Sequence, residues 1–183
     1  MITKKANLAT VLTNVYLTKK EPLSVVHFIT NRCNARCSFC FIDFDDPKTF
    51  KGELSLEEIE KLTKSYGNSL LNVNFTGGEP FARKDIVEIA KLYIQNTTIQ
   101  SIFITTNGSL PNRVEFFVEE ITKFNKDIEI GIQISIDDFP ENHNKVRKIP
   151  DLFKSCLDTY FRVKNFGPNV NSSVSITVTQ ENS

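Results

Sequence analysis

The sequence is poor in the features that mark non-globular or membrane-spanning chains. Its 183 residues include only 7 Gly, 7 Pro and 4 Cys. No stretch approaches the roughly 20 consecutive apolar residues that a membrane span needs. Hydrophobic residues make up 40% of the chain and charged residues 24%, which excludes disorder, collagen-like repeats and low-complexity sequence. A chain of this length buries enough surface to fold without disulfide bonds, so we expect one ordinary globular domain.

An excess of either charge is also missing. The 22 Lys and Arg residues balance the 22 Asp and Glu residues, and the formal net charge is zero. The chain therefore has no overall basic field with which to hold a nucleic-acid backbone. Residues 1–20 mix lysines and asparagines with short apolar pieces and lack the apolar segment of a signal peptide. We expect a cytoplasmic protein that binds neither nucleic acid nor a membrane.

The sequence does contain a regular alternation of strand-like and helix-like segments. The β-prone runs predict five strands, at 25–30, 71–76, 102–106, 128–136 and 173–179. Four amphipathic helices are predicted between them. Ser55 and Glu58 form a capping box before the first, and apolar residues at helical spacing mark three more, beginning near Ile86, Val114 and Phe153. Because parallel strands need long crossovers, this alternation predicts a parallel sheet with helical connections.

Five strands are too few for a closed eight-stranded barrel, which needs about 250 residues. The expected fold class is therefore α/β, with a partial, open parallel β/α barrel. We expect residues 1–22 to form an N-terminal extension and residues 23–183 to form the core domain. The core domain looks short at its C-terminal end, because no helix follows the last predicted strand.

Three of the four cysteines cluster just after the first predicted strand. Cys33, Cys37 and Cys40 fall within eight residues, whereas Cys156 lies on the apolar face of the last predicted helix, where we expect a packed thiol. Three thiols in one short cytosolic loop favour metal or cluster ligands over disulfides. Structural zinc sites and ferredoxin clusters normally take four protein ligands, so three ligands leave one metal position open. A partial zinc site or three incidental thiols is the alternative interpretation.

The segment Cys-x-x-x-Cys-x-Phe-Cys resembles the signature of the radical S-adenosylmethionine (radical SAM) enzymes. In that family, three cysteines hold a [4Fe–4S] cluster and S-adenosylmethionine chelates the fourth iron. The resemblance implies that Cys33, Cys37 and Cys40 are the cluster ligands and that the backbone of Phe39 contacts the adenine. It also implies a partial barrel of the radical SAM type and a reductant such as flavodoxin or ferredoxin.

Motifs after the second and third predicted strands strengthen the resemblance. Gly77, Gly78 and Glu79, followed by a proline, resemble the family motif that binds the amino group of S-adenosylmethionine. The segment Thr105-Thr106-Asn107-Gly108 is similar to the Thr-Asn-Gly often found after the third strand. An ordinary turn explains that segment equally well, because Asn-Gly favours positive φ.

The fourth predicted strand leads into the last group of motif residues. By resemblance, Ser135 hydrogen-bonds the ribose or methionine end of the cofactor, and Asp137 lines the same site. Arg147, in a segment similar to Glu-x-His-x-x-x-Arg, would pair with the cofactor carboxylate, a task that suits a planar charged fork. His143 either orders this loop or lies on the surface. All these motifs follow the carboxyl ends of strands, where parallel β/α folds gather their active sites.

The resemblance implies an enzyme that reductively cleaves S-adenosylmethionine to a 5′-deoxyadenosyl radical, which abstracts hydrogen from a small-molecule or peptide substrate. The motifs resemble both the peptide-modifying (SPASM-type) members and the GTP cyclase of molybdenum-cofactor synthesis. Asn74 stands where that cyclase usually has a GTP-contacting Arg, which weakens the cyclase interpretation. The alternatives are a non-catalytic Fe–S binding protein and an inactive radical SAM fragment. The sequence identifies no general base.

Overall fold

In the computed structural model, which describes residues 6–180 and Asn182, strands and helices alternate along the chain. The five strands are β1 Ser24–Thr30, β2 Asn72–Gly77, β3 Ser101–Thr106, β4 Glu129–Ser135 and β5 Val170–Ser175. The six α-helices are α1 Leu8–Thr13, α2 Leu56–Ser65, α3 Ile86–Asn96, α4 Pro111–Phe124, α5 Pro140–Arg147 and α6 Leu152–Lys164. A π-helical turn, Asn14–Thr18, follows α1 directly.

The strands form a single parallel sheet in the order β1-β2-β3-β4-β5. Each strand therefore lies beside the next one in sequence. The helices α2, α3 and α4 occupy the first three crossovers, and α5 and α6 share the fourth. With β1 and β5 as its two edges, the sheet is open. This confirms the predicted partial parallel β/α architecture.

Helices bury one face of the sheet and leave the other open. Alternate strand residues point into the buried face, as Phe75, Ile104 and Ile132 do with no exposed surface. They pack in one core cluster with apolar side chains of α3 and α4, including Tyr93 and Phe117. Ser55 begins α2 with the predicted capping box, its side chain accepting from Glu58 N while the Glu58 carboxylate accepts from Ser55 N. Burial of this apolar face is the main favourable contribution to folding.

The opposite face, which we call the inner face, carries the intervening strand residues. Val26, Phe28 and Phe103 remain 46–60% exposed there. Phe103 pairs with Gly131 across β3 and β4, and its ring covers that glycine. A Cβ added at Gly131 would lie 2.5 Å from Phe103 Cδ1, so the close approach of the ring requires a glycine.

The fifth strand differs from its predicted bounds of 173–179. It runs from Val170 to Ser175, because the ladder with β4 ends where β4 itself ends, at Ser135. The following residues turn over the carboxyl ends of the strands. There the Thr177 backbone N–H donates to Asp137 Oδ1 at 3.0 Å instead of to a neighbouring strand.

The fourth crossover holds one more helix than predicted. The segment expected to precede the last helix is itself helical and forms α5. Its sequence, Pro-Glu-Asn-His-Asn-Lys-Val-Arg, lacks the apolar periodicity that predicts a helix. Pro140 suits the first helical position, and the buried side chains of His143, Val146 and Arg147 fix the helix by tertiary contacts.

The predicted boundary between an N-terminal extension and a core domain stays a prediction. Residues 1–5 of that extension, and Glu181 and Ser183 of the predicted core domain, lie outside the described residues. Across the described ranges, no helix combines the length and the apolar content needed to cross a membrane.

Candidate active site

The predicted site residues gather at the carboxyl ends of β1 to β4, an edge of the sheet that we call the rim. The cysteine loop follows β1, the Gly-Gly-Glu turn follows β2, the Asn107 turn follows β3, and Asp137 follows β4. Parallel strands bring their carboxyl ends to one edge, so residues that are far apart in sequence meet there. The sequence pattern predicted this gathering, whereas the contacts within it come from the structure.

The cysteine loop is irregular and is held by backbone hydrogen bonds to the end of α5. Arg36 N–H donates to Arg147 O at 3.2 Å, and Ser38 N–H donates to Val146 O at 3.1 Å. The loop thereby carries its three cysteines past the Arg147 side chain, whose guanidinium carbon lies 5.7 Å from the centre of the Phe39 ring. Phe39 thus lies between two predicted ligands and beside the predicted carboxylate-binding arginine.

All three cysteines of the loop are half-buried free thiols. Burial raises the pKa of Cys33; the hydrogen bond from Ala35 N opposes this rise, and charge on Cys37 and Cys40 adds to it. Burial also raises the pKa of Cys37, while the Arg147 charge favours its thiolate. Such thiols hold their protons until a cation binds, because metal binding needs the thiolate form.

This donor set fits an iron–sulfur cluster better than a single ion. Thiolates on one Zn²⁺, each about 2.3 Å from the metal, lie within roughly 4 Å of one another. Within residues 6–180 and Asn182, no group of three or more His, Cys, Asp or Glu side chains is arranged to hold one metal ion. A [4Fe–4S] cluster takes its thiolates on separate irons, which suits three soft donors spread along one loop.

The two glycines after β2 pack directly on the backbone that leads into the cysteine loop. Gly77 has φ of +132°, and a Cβ there would lie 2.1 Å from Thr30 O. A Cβ at Gly78 would lie 2.3 Å from Arg32 O. Gly78 N–H and Glu79 N–H donate to these same two carbonyls, each at 2.8 Å. Glycine is therefore required here for close backbone contact, and this contact fixes the start of the cysteine loop.

Glu79 is fully buried and accepts three hydrogen bonds from the protein. Its Oε1 accepts from Phe81 N at 3.1 Å and from Thr106 Oγ1 at 2.8 Å, and its Oε2 accepts from Asn107 N at 2.7 Å. Burial raises the pKa of Glu79, while these bonds to the carboxylate lower it. A carboxylate has about four acceptor positions, and the chain itself occupies three of them at Glu79.

Asn107 is the residue whose role sequence reasoning missed. It is 5% exposed, and it connects the turn after β3 to Glu79, to the cysteine loop and to α6. Gly108 beside it has φ of +74°, as expected for an Asn-Gly turn. The segment is therefore a turn, and it also contacts the cysteine loop. The Asn-Gly pair itself was the available signal.

A buried ion pair joins Asp137 to Arg147. Arg147 Nε donates to Asp137 Oδ2 at 2.6 Å and Arg147 Nη2 to Oδ1 at 3.1 Å. Burial disfavours the guanidinium charge, but Asp137 more than offsets it and raises the pKa of Arg147. The second terminal nitrogen, Nη1, takes no part in this pair.

His143 orders the turn after β4, and the surface alternative is wrong because its side chain has no exposed surface. Asp137 N–H donates to His143 Nδ1 at 3.2 Å, so Nε2 carries the proton of the neutral ring. Burial lowers the pKa of His143, and the nearby Arg147 charge lowers it further. His143 therefore acts on Asp137 as a neutral hydrogen-bond acceptor.

Cys156 is packed in the core, as predicted, with no exposed surface. Burial raises the pKa of Cys156 to about 12, so it is a neutral thiol. Its Sγ donates to Asn107 O at 3.2 Å. Ser135 ends β4 and is 9% exposed, and its carbonyl lies 3.9 Å from the same sulfur.

Comparison with known proteins identifies the class to which this site belongs. Residues 28–182 match the radical SAM superfamily, which is most of the chain and includes every motif of the rim. The chain belongs to the radical SAM superfamily. It is thus of a class of enzymes that use a [4Fe–4S] cluster and S-adenosylmethionine, the two cofactors that the cysteine motif predicts.

Two curated relatives, both GTP 3′,8-cyclases, each match less than half of this chain. A GTP 3′,8-cyclase of Cronobacter sakazakii (strain ATCC BAA-894) is 41% identical over 83 residues, which are 44% of this chain and 25% of that protein. A GTP 3′,8-cyclase of Pasteurella multocida (strain Pm70) is 43% identical over 82 residues, 44% of this chain and 24% of that protein.

Solved structures show the same fold over most of this radical SAM chain. Native anSMEcpe with bound AdoMet and Kp18Cys peptide matches with a TM-score of 0.60 and 23% identity, over 84% of this chain and 42% of that one. Streptococcus suis SuiB bound to precursor peptide SuiA matches with a TM-score of 0.66 and 19% identity, over 95% of this chain and 37% of that one. The chain thus spans well under half the length of these proteins.

Proposed function

We propose that Cys33, Cys37 and Cys40 hold a [4Fe–4S] cluster at the rim and that the chain cleaves S-adenosylmethionine reductively. When bound, the two cofactors supply one-electron cleavage of the C5′–S bond, which gives methionine and a 5′-deoxyadenosyl radical that abstracts hydrogen from the substrate. The observation that carries this proposal is the set of three half-buried free thiols on one rim loop. Backbone hydrogen bonds join that loop to both the Gly-Gly-Glu turn and α5.

The other rim residues would bind S-adenosylmethionine beside the cysteine loop. Phe39 would contact its adenine and Ser135 its ribose or methionine end. The turn formed by Gly77, Gly78 and Glu79 would bind its amino group. The three hydrogen bonds that the buried Glu79 carboxylate accepts support this assignment, because they hold the turn in place beside the cysteine loop.

Asp137 and Arg147 would face the carboxylate end of the cofactor. Asp137 accepts from Nε and Nη2 and so orients the guanidinium, and Nη1 lies outside that pair. An arginine held in this way presents a fixed charge to a carboxylate without losing its partner. In turn, the neutral His143 fixes Asp137 through the backbone N–H of Asp137.

We propose an uncharged peptide segment as the substrate, with a reductant such as flavodoxin or ferredoxin supplying the electron. The inner face would receive that segment. Its strand side chains are uncharged apart from Glu129, at the amino end of β4. One row across the sheet, with neighbours paired, is Val26, Asn74, Phe103 and Gly131.

A nucleoside triphosphate is the second candidate substrate, because the curated relatives are GTP 3′,8-cyclases. A triphosphate needs cations, and the inner face of these strands offers none. Asn74 occupies the centre of the row, and its buried Oδ1 has no hydrogen-bond partner in the described structure. That acceptor suits an N–H donor of either candidate, a peptide amide or a guanine base, and disfavours only the phosphates, so the missing cation is what favours the peptide.

Anaerobic reconstitution with iron and sulfide tests the cofactor proposal. After addition of dithionite and S-adenosylmethionine, we expect iron near four per chain and formation of 5′-deoxyadenosine. Cys37→Ala should lose the product, whereas Cys156→Ala removes a thiol outside the cluster and should keep the iron. Zinc without iron would contradict the proposal, and a full cluster without product would favour the inactive-fragment or non-catalytic alternatives.

Equilibrium dialysis with GTP tests the substrate proposal. The reconstituted wild-type protein should retain no GTP at millimolar nucleotide, because no cation on the inner face meets the phosphates. Asn74→Arg is the matched variant, because it introduces a cation into the row formed by Val26, Asn74, Phe103 and Gly131. GTP retention by the wild type would favour the nucleotide candidate.

A further inference from the structure

Asn107 is a buried polar residue of the rim that the proposed function leaves without a role. Its backbone N–H donates to Glu79 Oε2 at 2.7 Å, and its carbonyl accepts from Cys156 Sγ at 3.2 Å. Its side-chain Oδ1 accepts from Ser109 N at 2.9 Å. Its Nδ2 donates to Asn34 Oδ1 at 2.9 Å and points at Cys33 Sγ, 3.8 Å away.

These bonds leave only one orientation for the Asn107 amide. The Ser109 backbone N–H is a fixed donor, so the atom that faces it must be the oxygen. The amide nitrogen must then face Asn34 and Cys33. In a flipped amide, the Asn107 N–H₂ group would face the Ser109 N–H, and the Asn107 oxygen would face Asn34 Oδ1. Both contacts are unfavourable, so the hydrogen-bond network sets the direction of the N–H toward Cys33.

The turn that carries Asn107 is rigidly held against α6. A Cβ at Gly108 would lie 2.9 Å from both Cys156 Sγ and Ile134 Cγ2, so the turn packs on the helix without a gap. Thr159 Oγ1 donates to Gly108 O at 2.8 Å. Together with the bond from Cys156, this contact holds the turn of Asn107 on α6.

We infer that Asn107 is a positioning residue that donates an N–H···S hydrogen bond to the Cys33 cluster ligand and raises the reduction potential of the cluster; this rests on the proposed function. Hydrogen bonds to ligand sulfurs are among the features that set the potentials of iron–sulfur clusters. The bond stabilises negative charge on sulfur, and the reduced cluster carries more of it. Outer partners of this kind orient and tune the ligands that bind the metal.

Substitution of Asn107 tests this inference through the midpoint potential of the cluster. Asn107→Ala removes the donor without adding charge, and we expect a shift to lower potential in an EPR-monitored redox titration. Asn107→Asp keeps the size and the acceptor oxygen but replaces the donor with a negative charge, so its shift should be larger. Asn34→Ala is the matched control, because it removes the other acceptor of the same amide and should leave the potential unchanged.

A second measurement needs no substitution at Asn107. In protein labelled with ¹⁵N-asparagine on the Asn34→Ala background, pulsed EPR of the reduced cluster without S-adenosylmethionine should detect a coupled ¹⁵N nucleus. Absence of that coupling would overturn the inference, as would an unchanged potential in iron-loaded Asn107→Ala. If the wild type itself holds no iron, the proposed function fails instead, so the two failures are distinguishable.

Discussion

The helix-covered face of the sheet and the rim are built from opposite chemistry within a few residues of each other. The covered face packs Ile, Val and Phe side chains that have almost no exposed surface. The rim buries ionisable and polar groups instead, among them Glu79, Asp137, His143 and Arg147. Burial of apolar side chains stabilises the fold directly. A buried charge loses its hydration, so its ion pair and hydrogen bonds must first offset that desolvation free energy.

The difference shows what each region contributes to the protein. Side chains of the covered face can exchange for others of similar shape at small cost, because their contacts are not directional. The rim has directional bonds, so the loss of one partner leaves another buried group unsatisfied. We therefore expect substitutions at the rim to affect stability and iron content together, and substitutions in the covered face to affect stability alone.

The largest effect is expected at the buried ion pair. Arg147→Ala leaves the Asp137 carboxylate buried without its partner and should lower the free energy of unfolding by about 3–5 kcal/mol. The double variant Asp137→Asn, Arg147→Met removes both charges and should be less destabilised than Arg147→Ala. Urea unfolding measures both, and a double variant less stable than the single one would contradict this account of the rim.

A substitution on the inner face tests whether packing on this open face is as sensitive to side-chain size as packing on the helix-covered face. Gly131→Ala places a methyl group against the Phe103 ring and should cost about 1–3 kcal/mol of unfolding free energy. The double variant Gly131→Ala, Phe103→Ala removes the clash and should recover part of that loss. Thermal unfolding compares them; equal stability of wild type and Gly131→Ala would show that the ring moves away freely.

A conservative change in the covered face gives the matched contrast to the rim. Ile104→Val removes one buried methylene and should cost about 1 kcal/mol, with no shift of neighbouring polar groups. Iron content per folded chain should equal that of the wild type after reconstitution. A fall in iron content would show that the covered face and the rim are coupled more tightly than their contacts suggest.

The smallest effect concerns His27, a titratable group beside the covered core. Burial and the Arg83 charge lower its pKa to about 4, and its Nδ1 lies 3.0 Å from Tyr93 Oη. Neutral His27 therefore contributes stability that is fully present above pH 6.5, the usual histidine value. That stability is lost as the pH falls from about 6.5 towards 4, because the unfolded chain binds the proton first.

Substitution of His27 should remove part of this acid sensitivity. Between pH 7 and pH 5, we expect the wild type to lose on the order of 1 kcal/mol more unfolding free energy than His27→Gln. Urea unfolding at the two pH values measures the difference. Parallel losses in both proteins would assign the acid sensitivity to other groups, such as His143, whose pKa burial also lowers.

Much of the fold was predictable because its signals are local. The capping box of Ser55 and Glu58 and the alternation of β-prone and amphipathic segments depend on neighbours in sequence. The helix α5 was missed because tertiary contacts of His143 and Val146 hold it and no apolar stripe marks it. The end of β5 was placed too late because the length of β4, not the β propensity of residues 176–179, decides it.

The gathering of the candidate site residues at one edge of the sheet was predictable, but their pairings were not. The spacing of the cysteines and the Gly-Gly-Glu motif identify the rim without a structure. The contacts of Asp137 with Arg147 and of Asn107 with Cys33 depend on strand register and on the path of the loops. The spacing of residues in the sequence does not predict either of these. The motif by itself does not reveal that Gly77 and Gly78 pack on the backbone carbonyls of Thr30 and Arg32, at the start of the cysteine loop.

The two backbone hydrogen bonds between the cysteine loop and α5 also impose an order of assembly during synthesis. The ribosome releases Cys33, Cys37 and Cys40 early, but the carbonyls of Val146 and Arg147 that hold their loop emerge only after three further strands. Until then the cysteine loop lacks the two backbone hydrogen bonds that hold it against α5. Iron that arrived at the nascent chain would meet cysteines not yet in place, so cluster insertion should follow completion of the fourth crossover.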